Sequence, residues 1–162
     1  MDRSKRVVFV SHCILNQNTV VHPLARGKGA YKDIVKEIMD QGIGIHQLPC
    51  PEYRHLGLKR KPMNKNEYDT IEYRALCKNI SEDAINIVKE YLDDDYKIVG
   101  LIGINESPTC SLRDIKGILM EELLTLAEKE KFSLNTIDVP GEYVDEKDNT
   151  EFIANLRGFL TK

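Results

Sequence analysis

The segment Val99–Ser111 reads V-G-L-I-G-I-N-E-S-P-T-C-S and indicates the fold class of the chain. It continues an apolar, β-branched run over Ile98–Ile104, which has the length and composition of a buried parallel strand. The run ends in a polar turn that presents Cys110, and Ser111-Leu-Arg-Asp114 has the spacing of a capping box. The sequence therefore predicts a helix that begins near Ser111. A thiol between a strand end and a helix start lies near backbone N–H donors, which favour the thiolate.

Two other predicted strands are followed by a cysteine in the same way. Arg6–His12 predicts the first strand and is followed by Cys13. Gly44–Leu48 predicts the second and leads into Pro49-Cys50-Pro51-Glu52, where the two prolines prevent a sheet ladder or helix from continuing. A fourth strand is predicted over Leu134–Val139.

The segments between these strands have helical periodicity or loop composition. The polar stretch Asn16–Gly29 and the basic stretch Tyr53–Asn66 are predicted loops. Apolar residues at helical spacing predict a helix that carries Ile34, Ile38 and Met39 and stops at Gly42, a helical region over Glu67–Asp95 with a break near Asn79–Ser81, a helix along Ile115–Ala127, and a last helix over Thr150–Leu160. This alternation predicts a small Rossmann-like α/β fold in a single domain, residues 1–162, with about four parallel strands and helices on both faces.

Composition narrows the class of protein. A hydrophobic content of 41% and a charged content of 30% over 162 residues are typical of a soluble globular domain. The net charge of −3 gives no reason to expect a nucleic-acid partner. No apolar run has membrane-spanning length, and the first residues lack the pattern of a signal peptide, so we expect a cytoplasmic protein.

Three of the four cysteines are expected to converge. Cys13, Cys50 and Cys110 each follow a predicted strand, and the carboxyl ends of parallel strands meet at one edge of the sheet. Ligands of such sheets bind at that edge, so the three thiols are predicted to share a pocket. Cys77 lies in a helical stretch and is interpreted as structural.

Several chemistries are compatible with three such thiols. A cysteine after a strand is often a small buried apolar residue. No C-x-x-C knuckle of a structural zinc site occurs, but a catalytic zinc with three protein ligands and one open position is compatible with the sequence. A thiol nucleophile would need a base from His12, His22, His46 or His55. An iron–sulfur cluster normally has four thiolates, so three would leave one iron open to a substrate.

The motifs Ser11-His-Cys13, Cys50-Pro-Glu52 and Ser107-Pro-Thr-Cys110, in this order, resemble those of the 2-thiouracil desulfidase (TudS) family. The similarity extends from about Val7 to Gly141, and departures in the intervening loops identify the chain as a divergent member. The resemblance implies a [4Fe-4S] cluster held by Cys13, Cys50 and Cys110. It also implies that a small thiolated substrate, a thiouracil-like heterocycle or a thioamide, exchanges its sulfur for oxygen at the open iron.

Further residues are candidates for roles at this site. The resemblance implies catalytic roles for Glu52, as general base or proton relay, and for Ser107, as a hydroxyl that holds substrate or water. Asn16, His22 and Arg60 are candidate substrate contacts in the flanking loops. Two other functions are compatible with the sequence: a non-catalytic iron–sulfur sensor or redox module, and a cluster-free hydrolase or transferase with Cys50 or Cys110 as nucleophile.

Overall fold

The structure, a computed structural model, describes residues 1–162 and contains one four-stranded sheet. The strands lie in the order β2-β1-β3-β4, and all three pairings are parallel. Their bounds are β1 (Arg6–Val10), β2 (Gly44–Gln47), β3 (Lys97–Ile104) and β4 (Thr136–Val139). The α/β fold expected from the alternating pattern is confirmed.

Seven helices connect or follow the strands. They are α1 (His12–Leu15), α2 (Lys32–Asp40), α3 (Pro51–Leu56), α4 (Lys65–Tyr68), α5 (Ile71–Asp93), α6 (Ile118–Lys129) and α7 (Thr150–Leu160), with a 3-10 turn at Gln17–Thr19. Even the 23-residue α5 is too polar to cross a membrane, and the other helices are shorter.

Each face of the sheet is covered by one pair of long helices. Strand β1 is buried on both sides, because Val8 and Val10 pack in the same core as α2 and α7, while Val7 and Phe9 pack in the core with α5 and α6. This double burial explains why β1 and β3 are nearly continuous apolar runs instead of alternating ones.

The strand order places a crevice at the ends of β1 and β3. From β1 the chain moves outward to β2, then crosses back over β1 to form β3 on its other side. Loops after β1 and β3 therefore leave the sheet toward opposite faces, and a crevice opens between them. The residues that follow both strands belong to this crevice.

The sequence misplaces the ends of three segments. Strand β1 ends at Val10, and the residues after Ser11 form the helical turn α1. The predicted loop Tyr53–Asn66 contains most of α3 and the start of α4. Strand β4 begins at Thr136, two residues later than expected.

The long helical region is interrupted at a different place from the one expected. The break falls at Asp69–Thr70, where the Thr70 hydroxyl accepts a hydrogen bond from Tyr73 N at 3.1 Å and caps α5. Helix α5 then runs unbroken through Asn79–Ser81. Ser81 is buried, and its hydroxyl donates to Cys77 O at 2.8 Å, so this polar residue satisfies its side chain within the helix.

Candidate functional site

A cavity of about 310 Å³ lies at the carboxyl ends of β1, β2 and β3. Cys13, Cys50 and Cys110 all line its wall. The structure therefore brings together the three thiols that lie 37 and 60 positions apart in the chain (50 − 13 and 110 − 50). Glu52, Arg60 and Ser107 line the same cavity.

The turn that carries Cys110 is held by its own backbone and by Ser107. The Ser107 hydroxyl oxygen accepts hydrogen bonds from Thr109 N at 3.2 Å and from Cys110 N at 3.0 Å. Ile104 N donates to Cys110 O at 3.0 Å, which folds the turn back onto the end of β3. Gly103 permits this approach, because a Cβ there would lie 2.4 Å from Cys110 O.

The segment after Cys110 is a loop and not the predicted helix start. The Asp138 carboxylate of β4 accepts hydrogen bonds from Leu112 N and Arg113 N, each at 3.0 Å. The Ser111 hydroxyl donates to Arg113 O at 2.9 Å instead of capping a helix. Because Asp138 binds amides that an earlier helix would use, α6 begins only at Ile118.

Cys50, unlike Cys110, lies at a helix start. It is the N-cap residue of α3, and its sulfur accepts a hydrogen bond from Tyr53 N at 3.4 Å. Pro51 occupies the first turn of the helix, where its fixed φ and missing N–H are tolerated. The proline that was expected to prevent a helix therefore begins one.

Cys13 is tied to the loop that follows it. Gln17, which is buried, donates from Nε2 to Cys13 O at 2.8 Å and accepts at Oε1 from Arg26 N at 2.9 Å. Arg26 in turn donates from Nη1 to Pro140 O at 2.7 Å. One buried amide thus links the first cysteine to a cation and, through it, to the end of β4.

Burial opposes ionisation of all three thiols. Burial raises the pKa of Cys13 to about 12, and the neighbouring Cys50 and Glu52 add to the rise while Arg26 opposes it. Burial likewise raises the pKa of Cys50, against the hydrogen bond from Tyr53 N. Burial raises the pKa of Cys110 well above its usual value. At Cys110 desolvation therefore outweighs the local donors and opposes the thiolate that these donors were expected to favour.

Glu52 is positioned by a buried arginine. Its Oε1 accepts hydrogen bonds from Arg60 Nε at 3.4 Å and from the Tyr68 hydroxyl at 3.1 Å. The Arg60 side chain is only 3% exposed, and its other two nitrogens donate to Gly57 O at 3.1 Å and Thr19 O at 2.7 Å. Arg60 lines the cavity, but every one of its nitrogens already has a protein acceptor. The second carboxylate oxygen of Glu52, Oε2, accepts no hydrogen bond from the protein.

The remaining predicted residues lie outside the cavity wall. Asn16 caps the 3-10 turn, since its Oδ1 accepts from Asn18 N at 3.1 Å, and His22 is exposed. Cys77 is fully buried in a cluster with Tyr73 and Ile118, against which Cys110 also packs, and it does not line the cavity. This position agrees with a structural role for Cys77.

Several charged and polar residues of the wall were not predicted from the sequence, among them Arg26, Tyr31, Asn105 and Glu106. The only sequence signal for Arg26 is the basic stretch Arg26-Gly-Lys-Gly29 in the loop after Cys13. Asn105 and Glu106 directly follow β3, so the argument from strand ends could have found them. Tyr31 has no local signal, because only the packing of its loop against the sheet brings it to the cavity.

The sequence was compared with known proteins. It is 44% identical over 158 residues to the uncharacterized protein MJ0003 of Methanocaldococcus jannaschii, and the alignment covers 98% of this chain and 99% of the relative. The chain belongs to the family of that archaeal protein. No family model and no solved structure matches the sequence. The resemblance to the desulfidases therefore rests on the three sequence motifs and stays a prediction.

No three or more His, Cys, Asp and Glu side chains are grouped so as to hold a metal ion. A single zinc ion needs all its ligand atoms about 2.0–2.3 Å from one point, and this arrangement does not provide them. In a [4Fe-4S] cluster the thiolates bind different iron atoms, so the ligands surround the cluster instead of meeting at a point. Three thiols around one cavity would supply three of the four thiolates that such a cluster normally has.

The buried hydroxyl of Ser11, near Cys110, is a suitable hydrogen-bond donor for a charged sulfur. Ser11 is fully buried, and its Oγ has no hydrogen-bond partner. It is the N-cap residue of α1 but makes no side-chain cap. It lies near enough to the Cys110 sulfur to oppose the burial-driven rise of that pKa, although the geometry is not that of a hydrogen bond. A ligating thiolate would provide the acceptor that this hydroxyl lacks.

Proposed function

We propose that this protein is an iron–sulfur-dependent desulfidase that removes sulfur from a small thiolated compound, a thiouracil-like heterocycle or a thioamide. The observation that carries the proposal is that Cys13, Cys50 and Cys110 line one cavity together with Glu52 and Ser107. The order of the three motifs in the sequence, which resembles that of the desulfidases, also supports the proposal.

The three cysteines are the proposed ligands of a [4Fe-4S] cluster. When bound, such a cluster would supply an iron without a protein ligand, a Lewis acid for the substrate sulfur. The guanidinium groups of Arg26 and Arg60 are near enough to Cys13 and Cys50, respectively, to lower the pKa of these thiols against the effect of burial. Both cations therefore also offset the negative charge of ligating thiolates.

Glu52 is the proposed general base. Arg60 and Tyr68 hold Oε1, and Oε2 is free to accept a proton from water. The water oxygen bonds to the substrate carbon as Glu52 takes one of its protons. As the carbon–sulfur bond breaks and C=O forms, the departing sulfur receives that proton from Glu52 and the second proton from the hydroxyl left on the carbon. The sum is C=S plus water giving C=O plus hydrogen sulfide, with no net oxidation or reduction.

Ser107 is the proposed donor to substrate or water. Its oxygen already accepts two backbone N–H groups, from Thr109 and Cys110, which occupy its two lone pairs. Only its own O–H remains for the cavity. Ser107 thus orients a substrate oxygen, nitrogen or sulfur by donation and does not act as a base.

The apolar part of the cavity wall fits a small organic compound. Val20, Val21, Leu24 and Pro108 provide apolar surface in the wall. All four cysteines are free thiols, which agrees with a cytoplasmic location where thiols remain reduced.

Reconstitution under anaerobic conditions tests the cluster. We expect about four iron and four sulfide ions per chain and broad visible absorption. Replacement of Cys13, Cys50 or Cys110 by serine should sharply lower the iron content. Cys77→Ser is the matched control, since Cys77 is buried but lies outside the cavity, and it should retain all the iron.

The activity test is sulfide release from a panel of thiolated bases and thioamides by the reconstituted protein. Release that depends on the cluster supports the desulfidase. A stable cluster without release on any compound would refute it in favour of the sensor or redox module. Failure of the wild type to bind iron would refute the cluster itself, and hydrolysis or transfer lost in Cys50→Ser or Cys110→Ser would then indicate a thiol nucleophile.

A further inference from the structure

The guanidinium of Arg26 is anchored on one side. Its Nη1 donates to the carbonyl oxygens of Pro140 and Gly141, which follow β4. Its backbone N donates to Gln17, the residue that also binds Cys13 O. Arg26 is therefore held in a fixed position relative to Cys13, even though it belongs to a loop.

The other side of the same guanidinium is free. Its Nε and Nη2 make no hydrogen bond with the protein, and none of the ion pairs of the chain includes Arg26. Glu52 is paired with Arg60, and Glu106, the other carboxylate of the wall, packs against Gly141 without reaching Arg26 as an ion pair. The Nε–Nη2 edge is the planar fork that binds a carboxylate or phosphate through two parallel hydrogen bonds.

A hydroxyl in the cavity wall beside this fork also makes no hydrogen bond within the protein. Tyr31 lines the cavity and is only 2% exposed, yet its hydroxyl makes no hydrogen bond within the protein. Burial raises the pKa of Tyr31, and the nearby Arg26 and Gln17 oppose the rise without reaching hydrogen-bond geometry. A donor beside a guanidinium, both without acceptors, is complementary to an anionic oxygen.

We propose that Arg26 and Tyr31 form an oxyanion subsite in the cavity, and that the compound bound there carries a carboxylate or phosphate group. Arg26 Nε and Nη2 bind two of its oxygens, and the Tyr31 hydroxyl donates to one of them. The proposal rests on the proposed function in one respect: it assigns this charged group to the thiolated substrate, with its sulfur directed to the cluster beside Cys13. A protein with this subsite prefers a charged compound over a neutral heterocycle.

The subsite can be tested on the metal-free protein, without any turnover. The probes are benzoate and its neutral isostere benzamide, titrated at low salt by calorimetry, with phenyl phosphate as a second anion. We expect benzoate to bind at least about tenfold more tightly than benzamide, since hydrogen bonds to charged groups are worth about 1.5–3 kcal/mol, or about 10–100-fold. The tighter of benzoate and phenyl phosphate identifies the oxyanion.

Two variants locate the preference. Arg26→Gln should make benzoate and benzamide bind equally. Tyr31→Phe keeps the ring that packs on Tyr143 with centroids 4.8 Å apart, and it should weaken benzoate severalfold while benzamide is unchanged. The matched control is Tyr143→Phe, because the Tyr143 hydroxyl donates to Asp145 at 2.9 Å outside the cavity wall. Both ligands should bind this control as they bind the wild type.

Equal binding of benzoate and benzamide to the wild type would overturn the subsite, as would a Tyr31→Phe variant that behaves like Tyr143→Phe. Thermal unfolding of each variant confirms that it is folded. The proposed function fails separately: a protein that prefers anions through Arg26 but binds no cluster retains the subsite and loses the desulfidase. A protein that releases sulfide from neutral compounds but has no preference for anions retains the desulfidase and loses the subsite.

Discussion

Replacement of Ser11 by alanine separates a structural role of this residue from a role at the proposed cluster. The Ser11 hydroxyl is fully buried, accepts or donates no hydrogen bond within the protein, and does not cap α1. An ordinary buried serine stabilises its fold through a hydrogen bond. Ser11 makes none, so its removal should cost the metal-free protein nothing.

The magnitude follows from the unmet hydrogen bond. A buried polar group without a partner costs about 1–3 kcal/mol. Loss of the oxygen also removes some packing contacts, so we expect a net gain of about 1 kcal/mol in the free energy of unfolding. For a chain of this size that corresponds to about 2–4 °C in the unfolding midpoint. In the loaded protein the hydroxyl would donate to the Cys110 thiolate, and loss of such a partner typically weakens metal binding by about 10–100-fold.

The assay measures thermal unfolding of the metal-free protein and iron retention against a chelator after reconstitution. Ser11→Ala should unfold at the same or a higher temperature than the wild type and lose iron more readily. Ser81→Ala is the control, because Ser81 is equally buried but bonded to Cys77 O in α5, away from the cavity. It should not alter iron retention. A Ser11→Ala protein that is less stable without metal yet holds iron like the wild type would refute the reasoning.

Two further variants test the catalytic carboxylate and the turn that carries Cys110. Glu52→Gln should keep the iron but lower sulfide release by about 10²–10⁴-fold; because its partner Arg60 is only 3% exposed, chemical unfolding should also show a loss of about 1–3 kcal/mol. Full activity would remove Glu52 from the mechanism. Gly117→Ala places a Cβ 2.1 Å from the carbonyl carbon of Thr109, so we expect a loss of about 1–3 kcal/mol and less iron. Gly158→Ala in α7 meets no atom within 4 Å and should gain about 0.5–1 kcal/mol, and equal effects of the two substitutions would contradict the close packing at Gly117.

The sheet and the approach of the three cysteines could be predicted from the sequence. Val7–Val10 and Ile98–Ile104 are apolar runs whose strand character depends on neighbouring residues alone. Alternation of strands with helices then requires parallel pairing, and parallel strands bring their carboxyl ends to one edge. A cysteine placed after each of three strands must therefore reach that edge, however many residues separate it from the next.

The helix boundaries around the site depended on contacts from elsewhere in the chain. Ser111 has the spacing of a helix cap, but Asp138, 27 positions later (138 − 111), binds the next two amides and delays α6. Pro51 indicated a stop, yet the Cys50 sulfur accepts the Tyr53 amide and a helix begins there. The local sequence determines which backbone groups need hydrogen-bond partners, and the tertiary fold determines which side chains bind them.

The wall of the cavity was decided almost entirely by the tertiary structure. Arg60 has the sequence context of an exposed basic loop, but its three nitrogens bind Glu52, Gly57 O and Thr19 O and hold it in the interior. Arg26 and Tyr31 reach the cavity only because the buried Gln17 and the end of β4 hold the loop after β1. The sequence determined by itself which elements form and which cysteines follow them, because these properties are local. Only the tertiary structure decided which charged and polar side chains surround those cysteines, because loops acquire their conformation from hydrogen bonds to residues far away in the chain.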